Sequence, residues 1–163
     1  QRATSLEAIS CILKEIISVI FFIISYIFPY SLVPVFTFNK FEGTKRTFEI
    51  IKEINIDQSR IIVDHNTEET IELSLSYDVH AGITVYPNTK LSPFRAVNIM
   101  KKYGTDKILI NSSADWGISD PLSVPKTALE MRSNGFSEKE IDKVLFLNPN
   151  NFFKQSKNYR SLE

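Results

Sequence analysis

The stretch Lys107-Ile108-Leu109-Ile110-Asn111-Ser112-Ser113-Ala114-Asp115-Trp116-Gly117 decides how this chain is read. A short run of branched apolar residues gives way at once to a polar loop, the signature of a buried strand at its end. The same pattern occurs earlier, where Ile61-Ile62-Val63 runs into Asp64-His65-Asn66. Strands buried on both faces, as in parallel sheets, read as continuous apolar runs of this kind. A carboxylate and an imidazole directly after two such strands occupy the rim on which α/β barrels assemble metal and acid–base chemistry.

Outward from these strands, periodicity and capping residues predict the other elements. Ser5 caps a helix through Leu6, Ile9, Leu13, Ile16 and Ile17 to about Phe28. Val33 to Phe38 is a strand, and Thr44 to Ile54 is an amphipathic helix with Phe48, Ile51 and Ile54 on one face. Arg60 to Val63 is a strand; Asn66 and Glu69 have capping-box spacing and open a helix to about Tyr77. Ala81 to Tyr86 is a strand, and Ser92-Pro93 starts a helix that Gly104 ends. After the strand Lys107 to Ile110, Ser123 or Pro125 begins a helix closed by Gly135. Ser137 and Glu140 form a second capping box for a helix to about Phe146, and Pro149 to Gln155 forms a last short helix.

Four strands, each followed by a helix, predict a parallel sheet with right-handed crossovers. A closed eight-unit barrel needs about 250 residues, and this chain has 163. No GxGxxG or phosphate loop follows any strand, which argues against an open nucleotide-binding sheet. The expected fold is therefore α/β, a partial (β/α)8 TIM-type barrel of about four parallel β/α units plus C-terminal helices.

Composition bounds the function classes. With 43% hydrophobic residues the chain can bury one ordinary core. Nineteen basic and nineteen acidic residues cancel, so charge gives no support to nucleic-acid binding. The single cysteine, Cys11, excludes an internal disulfide and suits a reducing, cytoplasmic location. With only Cys11, His65 and His80 as soft or imidazole donors, a zinc-finger framework is excluded. The chain begins with Gln1 rather than Met, as a fragment or processed product would.

Residues 16–38 carry no charge over 23 positions, about the length of a membrane span. Pro29 and Pro34 interrupt that run, leaving thirteen helix-compatible residues before Pro29. A buried helix followed by a buried strand is the favoured reading, with membrane association the alternative. Exposure of Ile20 to Ile24, which lack a polar face, would drive self-association.

Polar residues gather after the strands: Asp64, His65 and Asn66; Tyr86, Asn88 and Thr89; Asn111, Ser112, Ser113 and Asp115. His65 is a candidate metal ligand. Asp115 is a candidate ligand and catalytic proton acceptor, since a bound cation keeps a carboxylate ionised. Structural readings stand beside these. A histidine after a buried strand also serves as a capping or core group, and Asp115 as a turn residue binding backbone amides. Asp64 orients the loop or supports His65 from behind. Trp116 reads as packing, Asp120-Pro121 as a turn, and His80, at the start of its strand, as structural.

VDHNTEET (63–70), AGITVYP (81–87) and INSSADWGISDPLSVPK (110–126) resemble the C-terminal half of TatD-like metal-dependent hydrolases, members of the amidohydrolase superfamily of (β/α)8 barrels. The resemblance is to a branch found in gene clusters with a UbiA-type prenyltransferase, and it runs from about Asn39 to Lys157. It implies a division into a divergent apolar helix and strand (1–38), the C-terminal half-barrel (39–157) and a tail (158–163). In that family a His-x-His on the first strand, a Glu on the fourth, histidines on the fifth and sixth and an Asp on the eighth hold the metals. Residue matching equates His65 with the sixth-strand histidine and Asp115 with the eighth-strand aspartate. Residues 34–40, where the fifth-strand motif falls, contain no histidine.

The resemblance implies a divalent metal (zinc, manganese or magnesium) and a hydrolytic activity on a small-molecule or phosphodiester substrate. Two ligands fall short of the three that catalytic sites ordinarily use. The expected partner is therefore a missing N-terminal half-barrel, or a second copy through self-association. The alternatives are a catalytically dead half-barrel serving association and a membrane-tethered domain.

Overall fold

A computed structural model of the chain describes residues 39–86, 91–112 and 120–160, together with the backbone of 31–34. Its centre is a four-stranded sheet in the order β1-β2-β3-β4, formed by Ser31–Pro34, Ile61–Asp64, His80–Val85 and Ile108–Ser112. Every pairing is parallel, with Val33 beside Val63, Val63 beside Ala81, and Thr84 beside Asn111. Sequential order with parallel pairing requires a crossover between each pair of neighbours, as expected for barrel units. The first strand starts two residues earlier than the expected 33–38, and residues 35–38 lie outside the described part.

The helices are α1 (Lys40–Glu53), α2 (Ile71–Leu75), α3 (Pro93–Tyr103), α4 (Ser123–Ser133), α5 (Glu138–Asp142) and α6 (Asn148–Phe153). α1 begins four residues before the expected Thr44, because the Asn39 side chain accepts the Glu42 N–H and caps the first turn. α3 has the expected ends: Ser92 caps it and Gly104 closes it at φ +81°, a conformation that favours glycine. The Ser137–Glu140 capping box is present in full. The helix it opens does not run straight to Phe146, however. Residues Lys143–Leu147 form a π turn before α6. Pro149, at the start of α6, has no N–H to continue an α-helical ladder, and the wider turn accommodates it.

Alternation along the strands separates the two faces of the sheet. Ile61 and Val63 pack on Phe48 and Ile51 of α1, while Ala81, Ile83, Val85, Ile108 and Ile110 pack with Val97, Met100 and Met131 of α3 and α4. Burial of each of these side chains larger than alanine stabilises the fold by about 1.5–3 kcal/mol. The opposite face carries Ile62 and Asp64, then His80, Gly82 and Thr84, then Leu109 and Asn111. At its N-terminal end Phe152 of α6 lies buried against Ile62 and Leu109. Asn148 ties that helix to the sheet by donating to Thr105 O and Ile108 O, both at 2.8 Å.

Residues 16–30 and 35–38 of the charge-free segment lie outside the described part, so the membrane and buried-helix readings both fall there. Among the described residues no helix is long and apolar enough to cross a membrane.

Candidate metal-ligand rim

His65 directly follows β2 at its C-terminal end, with φ +64°. This left-handed conformation is uncommon for a side chain other than glycine and persists where surrounding contacts hold it. Here the His65 N–H donates to Asp64 Oδ1 at 2.7 Å, and its carbonyl accepts from Lys40 Nζ at 3.3 Å. The next residue, Asn66, is locked as well. Its amide nitrogen donates to Val63 O (2.7 Å) and Gly82 O (3.1 Å), and its Oδ1 accepts from Ser74 (2.7 Å) and Thr70 (3.1 Å). All four hydrogen-bonding positions of the amide are therefore filled. Asn66 accordingly does not open a helix as a capping residue, and the helix expected from there to Tyr77 is the short α2 instead.

Asp64 leans across the sheet. It lies against Gly82 and reaches Thr84 of β3 and Asn111 of β4. Thr84 Oγ1 donates to Asp64 Oδ1 at 3.1 Å, and the Asn111 amide donates to Oδ1 and Oδ2 at 3.1 and 3.0 Å. Glycine at 82 makes this possible, since a Cβ there would stand 2.4 Å from Asp64 Oδ1 and 2.9 Å from its Cγ. Asp64 is 4% exposed, and each of these contacts is with a donor. It therefore serves as an internal acceptor rather than a presented ligand.

The His65 ring joins the same network. Its Nδ1 lies 2.6 Å from Thr84 Oγ1 and 3.9 Å from Asp64 Oδ2. Near the rim, Arg95 of α3 grips the Glu68 carboxylate with two bonds of 2.8 and 2.6 Å. That hydrogen bonding is the main cause holding Glu68 below the usual carboxylate range.

Of the two expected ligands, His65 is described and Asp115 lies outside the described residues, as does Trp116. β4 ends at Ser112, three positions before Asp115, and its C-terminal end lies at the same end of the parallel sheet as His65. Among the described residues no three His, Cys, Asp or Glu side chains form a metal-sized group. The donors described thus fit one coordination position, an imidazole, and do not complete a site. Gly82 and Thr84 did not stand out as site residues in the sequence. The signal for them was period-two alternation within AGITV, which puts both opposite Ala81, Ile83 and Val85.

His80 takes the structural place expected of it. It opens β3 at the other end of the sheet, with its ring edge-on to Phe152 at 5.2 Å. Burial, reinforced by the Lys107 charge and opposed by Asp78, holds its pKa below the ordinary imidazole value.

No protein-family model matches the chain. Over 118 residues it is 33% identical to an uncharacterized metal-dependent hydrolase of Methanocaldococcus jannaschii, a match covering 71% of this chain and 45% of that protein. The chain thus spans about half the length of its curated relative. In fold it is similar to the TatD-like protein of Archaeoglobus fulgidus, with a TM-score of 0.59 at 19% identity over 77% of this chain and 47% of that one. It is similar to the same degree (TM-score 0.59, 17% identity) to a beta-aspartyl dipeptidase of Fervidobacterium islandicum, over 74% of this chain and 36% of that one. The expected resemblance is borne out at the level of the family: the sequence is similar to a metal-dependent hydrolase, and the fold is similar to part of a TatD-like barrel.

Proposed function

We propose that these 163 residues form the C-terminal part of a TatD-like metal-dependent hydrolase, with His65 and Asp115 as two of the ligands of a divalent metal ion. The observation that carries this reading is His65 itself. It stands at the C-terminal end of a parallel strand, with its N–H held by Asp64 of that strand and its Nδ1 by Thr84 of the next. Ligating histidines are ordinarily supported through their second nitrogen in this way. The similarity to a hydrolase of about twice the matched length supports the same reading.

A divalent ion bound there supplies an activated water and stabilises developing negative charge. The chain's own part is to hold His65 rigidly, to contribute Asp115 as ligand and proton acceptor, and to close one side of the site with β2–β4. Two ligands are too few, so the remaining ones come from a missing N-terminal half-barrel, or from association with another copy. Hydrolysis of a small-molecule or phosphodiester substrate is the activity this arrangement would serve. A half-barrel that has lost catalysis and serves only association is the alternative.

Calorimetric titration of the 163-residue chain with zinc or manganese tests the reading. Weak, substoichiometric binding is expected alone. Stoichiometric binding is expected from a longer protein that carries an upstream His-x-His and Glu, and His65→Ala or Asp115→Ala should each abolish it. Tight stoichiometric binding by the isolated chain would overturn the two-ligand account. Unchanged binding by the longer protein after both substitutions would overturn the site.

A further inference from the structure

We infer that Thr84 and Asp64 are positioning residues for His65: together they keep an imidazole proton on Nδ1, so that Nε2 is the nitrogen through which His65 would ligate. The argument follows from counting hydrogens. Thr84 has one hydroxyl hydrogen and two neighbours, Asp64 Oδ1 at 3.1 Å and His65 Nδ1 at 2.6 Å. A carboxylate acts only as an acceptor. Were the hydroxyl to donate to Nδ1, two oxygens with lone pairs would face each other at 3.1 Å in a buried setting, where unpaired polar contacts cost most. Donation to Asp64 removes that conflict and turns the Thr84 oxygen into an acceptor. Nδ1 must then carry the hydrogen. Asp64 Oδ2, at 3.9 Å from Nδ1, favours the same placement.

The chain of bonds therefore runs from Nδ1–H to Thr84, and from Thr84 O–H to Asp64. Asn111 and the His65 N–H fix the far end by donating to the same carboxylate. Gly82 leaves the room in which Asp64 lies. Nitrogen tautomers in metal sites are set by the bond that the other ring nitrogen makes. In this chain a hydroxyl relays that bond from a carboxylate too distant to make it directly.

The inference deepens the reading of His65 as a ligand, yet its test needs no metal and no activity. The chain has two histidines, so long-range proton–nitrogen correlation on the nitrogen-15-labelled 163-residue chain resolves both rings, and His80→Gln assigns them. In spectra of the wild-type chain at pH about 8, His65 is expected with its proton on Nδ1. Thr84→Val should lower the Nδ1-to-Nε2 tautomer ratio about five- to tenfold, the scale of one hydrogen bond. Thr84→Ser should restore it, which a purely structural role of the threonine would not require. A wild-type ring with its proton on Nε2, or protonated on both nitrogens, overturns the inference before any variant is made. So does a Thr84→Val chain that keeps the wild-type ratio. If the tautomer is as expected but the longer protein binds no metal through His65, the proposed function fails and the positioning stands.

Discussion

The two histidines of this chain lie on the same face of one sheet, at opposite ends. His65 stands on the C-terminal rim among Asp64, Thr84, Asn111 and Asn66, and its ring nitrogen is bonded. His80 opens β3 at the other end against Phe152, and its buried Nδ1 has no partner among the described residues. Burial does not separate them, because both are largely enclosed. Wiring does. One is oriented by a network that crosses three strands, and the other is held by the shape of an aromatic contact. Where the described residues hold no metal-sized group of ligands, that difference marks the candidate ligand better than residue type.

The apolar end should show the largest energetic effect. Phe152 is 1% exposed and joins Ile62 and Leu109. Phe152→Ala should cost about 3–5 kcal/mol, read as a lower urea midpoint, while leaving the His65 tautomer unchanged. A normal midpoint would mean that α6 frays independently of the sheet.

At the rim, Asn66→Ala removes the amide that donates to Val63 O and that accepts from the Thr70 and Ser74 hydroxyls, while Gly82 O keeps the backbone N–H of residue 66. A cost of about 3 kcal/mol is expected, since orphaned buried groups each carry about 1–3 kcal/mol. Asn66→Asp should recover little of it, because a carboxylate cannot donate to Val63 O and Gly82 O. Thermal melts of the two variants settle this. A loss well below 1 kcal/mol would show that water replaces the amide.

Gly82→Ala comes next. The added Cβ forces Asp64 to move, and overpacking of this kind costs about 1–3 kcal/mol. Its distinguishing mark is at a distance: the His65 tautomer should shift as in Thr84→Val, although residue 82 bonds neither ring nitrogen. Stability loss with an unchanged tautomer would show that Asp64 can relax without disturbing Thr84.

How far these features could be read in the sequence depended on whether the deciding contact was local. Strands β2, β3 and β4 were legible because apolar runs with branched residues stop at polar loops, and α3 was legible from Ser92, Pro93 and Gly104. His65 was legible as a rim residue because it follows its strand directly. The short α2 was not, because Asn66 has the spacing of a capping box but spends its amide on β2, β3 and α2. Thr84 and Gly82 were hidden for the same reason. Their importance lies in what Asp64, twenty and eighteen positions away in the chain, does across the sheet. The π turn before Pro149 depended on a helix continuing past a residue that ordinarily begins one.

The smallest effect, and the one that most directly contrasts the two histidines, is the pH dependence carried by His80. Its pKa is lowered in the folded chain, first by burial and then by Lys107, with Asp78 opposing. Lys107 and Asp78 are themselves paired at 2.5 Å, so the two charges largely offset each other there. Because the folded value lies below the unfolded one, about 6.5, the unfolded chain takes up the proton first as pH falls. Stability is therefore unaffected well above pH 6.5, declines as pH drops through that value, and levels off once the folded ring is protonated as well. His80→Gln removes this contribution and leaves His65 and the carboxylates in place. The difference in melting temperature between wild type and variant should be constant above about pH 7.5 and should move against the wild type between pH 7 and 5. A difference that stays flat across that interval would mean that solvent reaches the ring and Phe152 does not shield it.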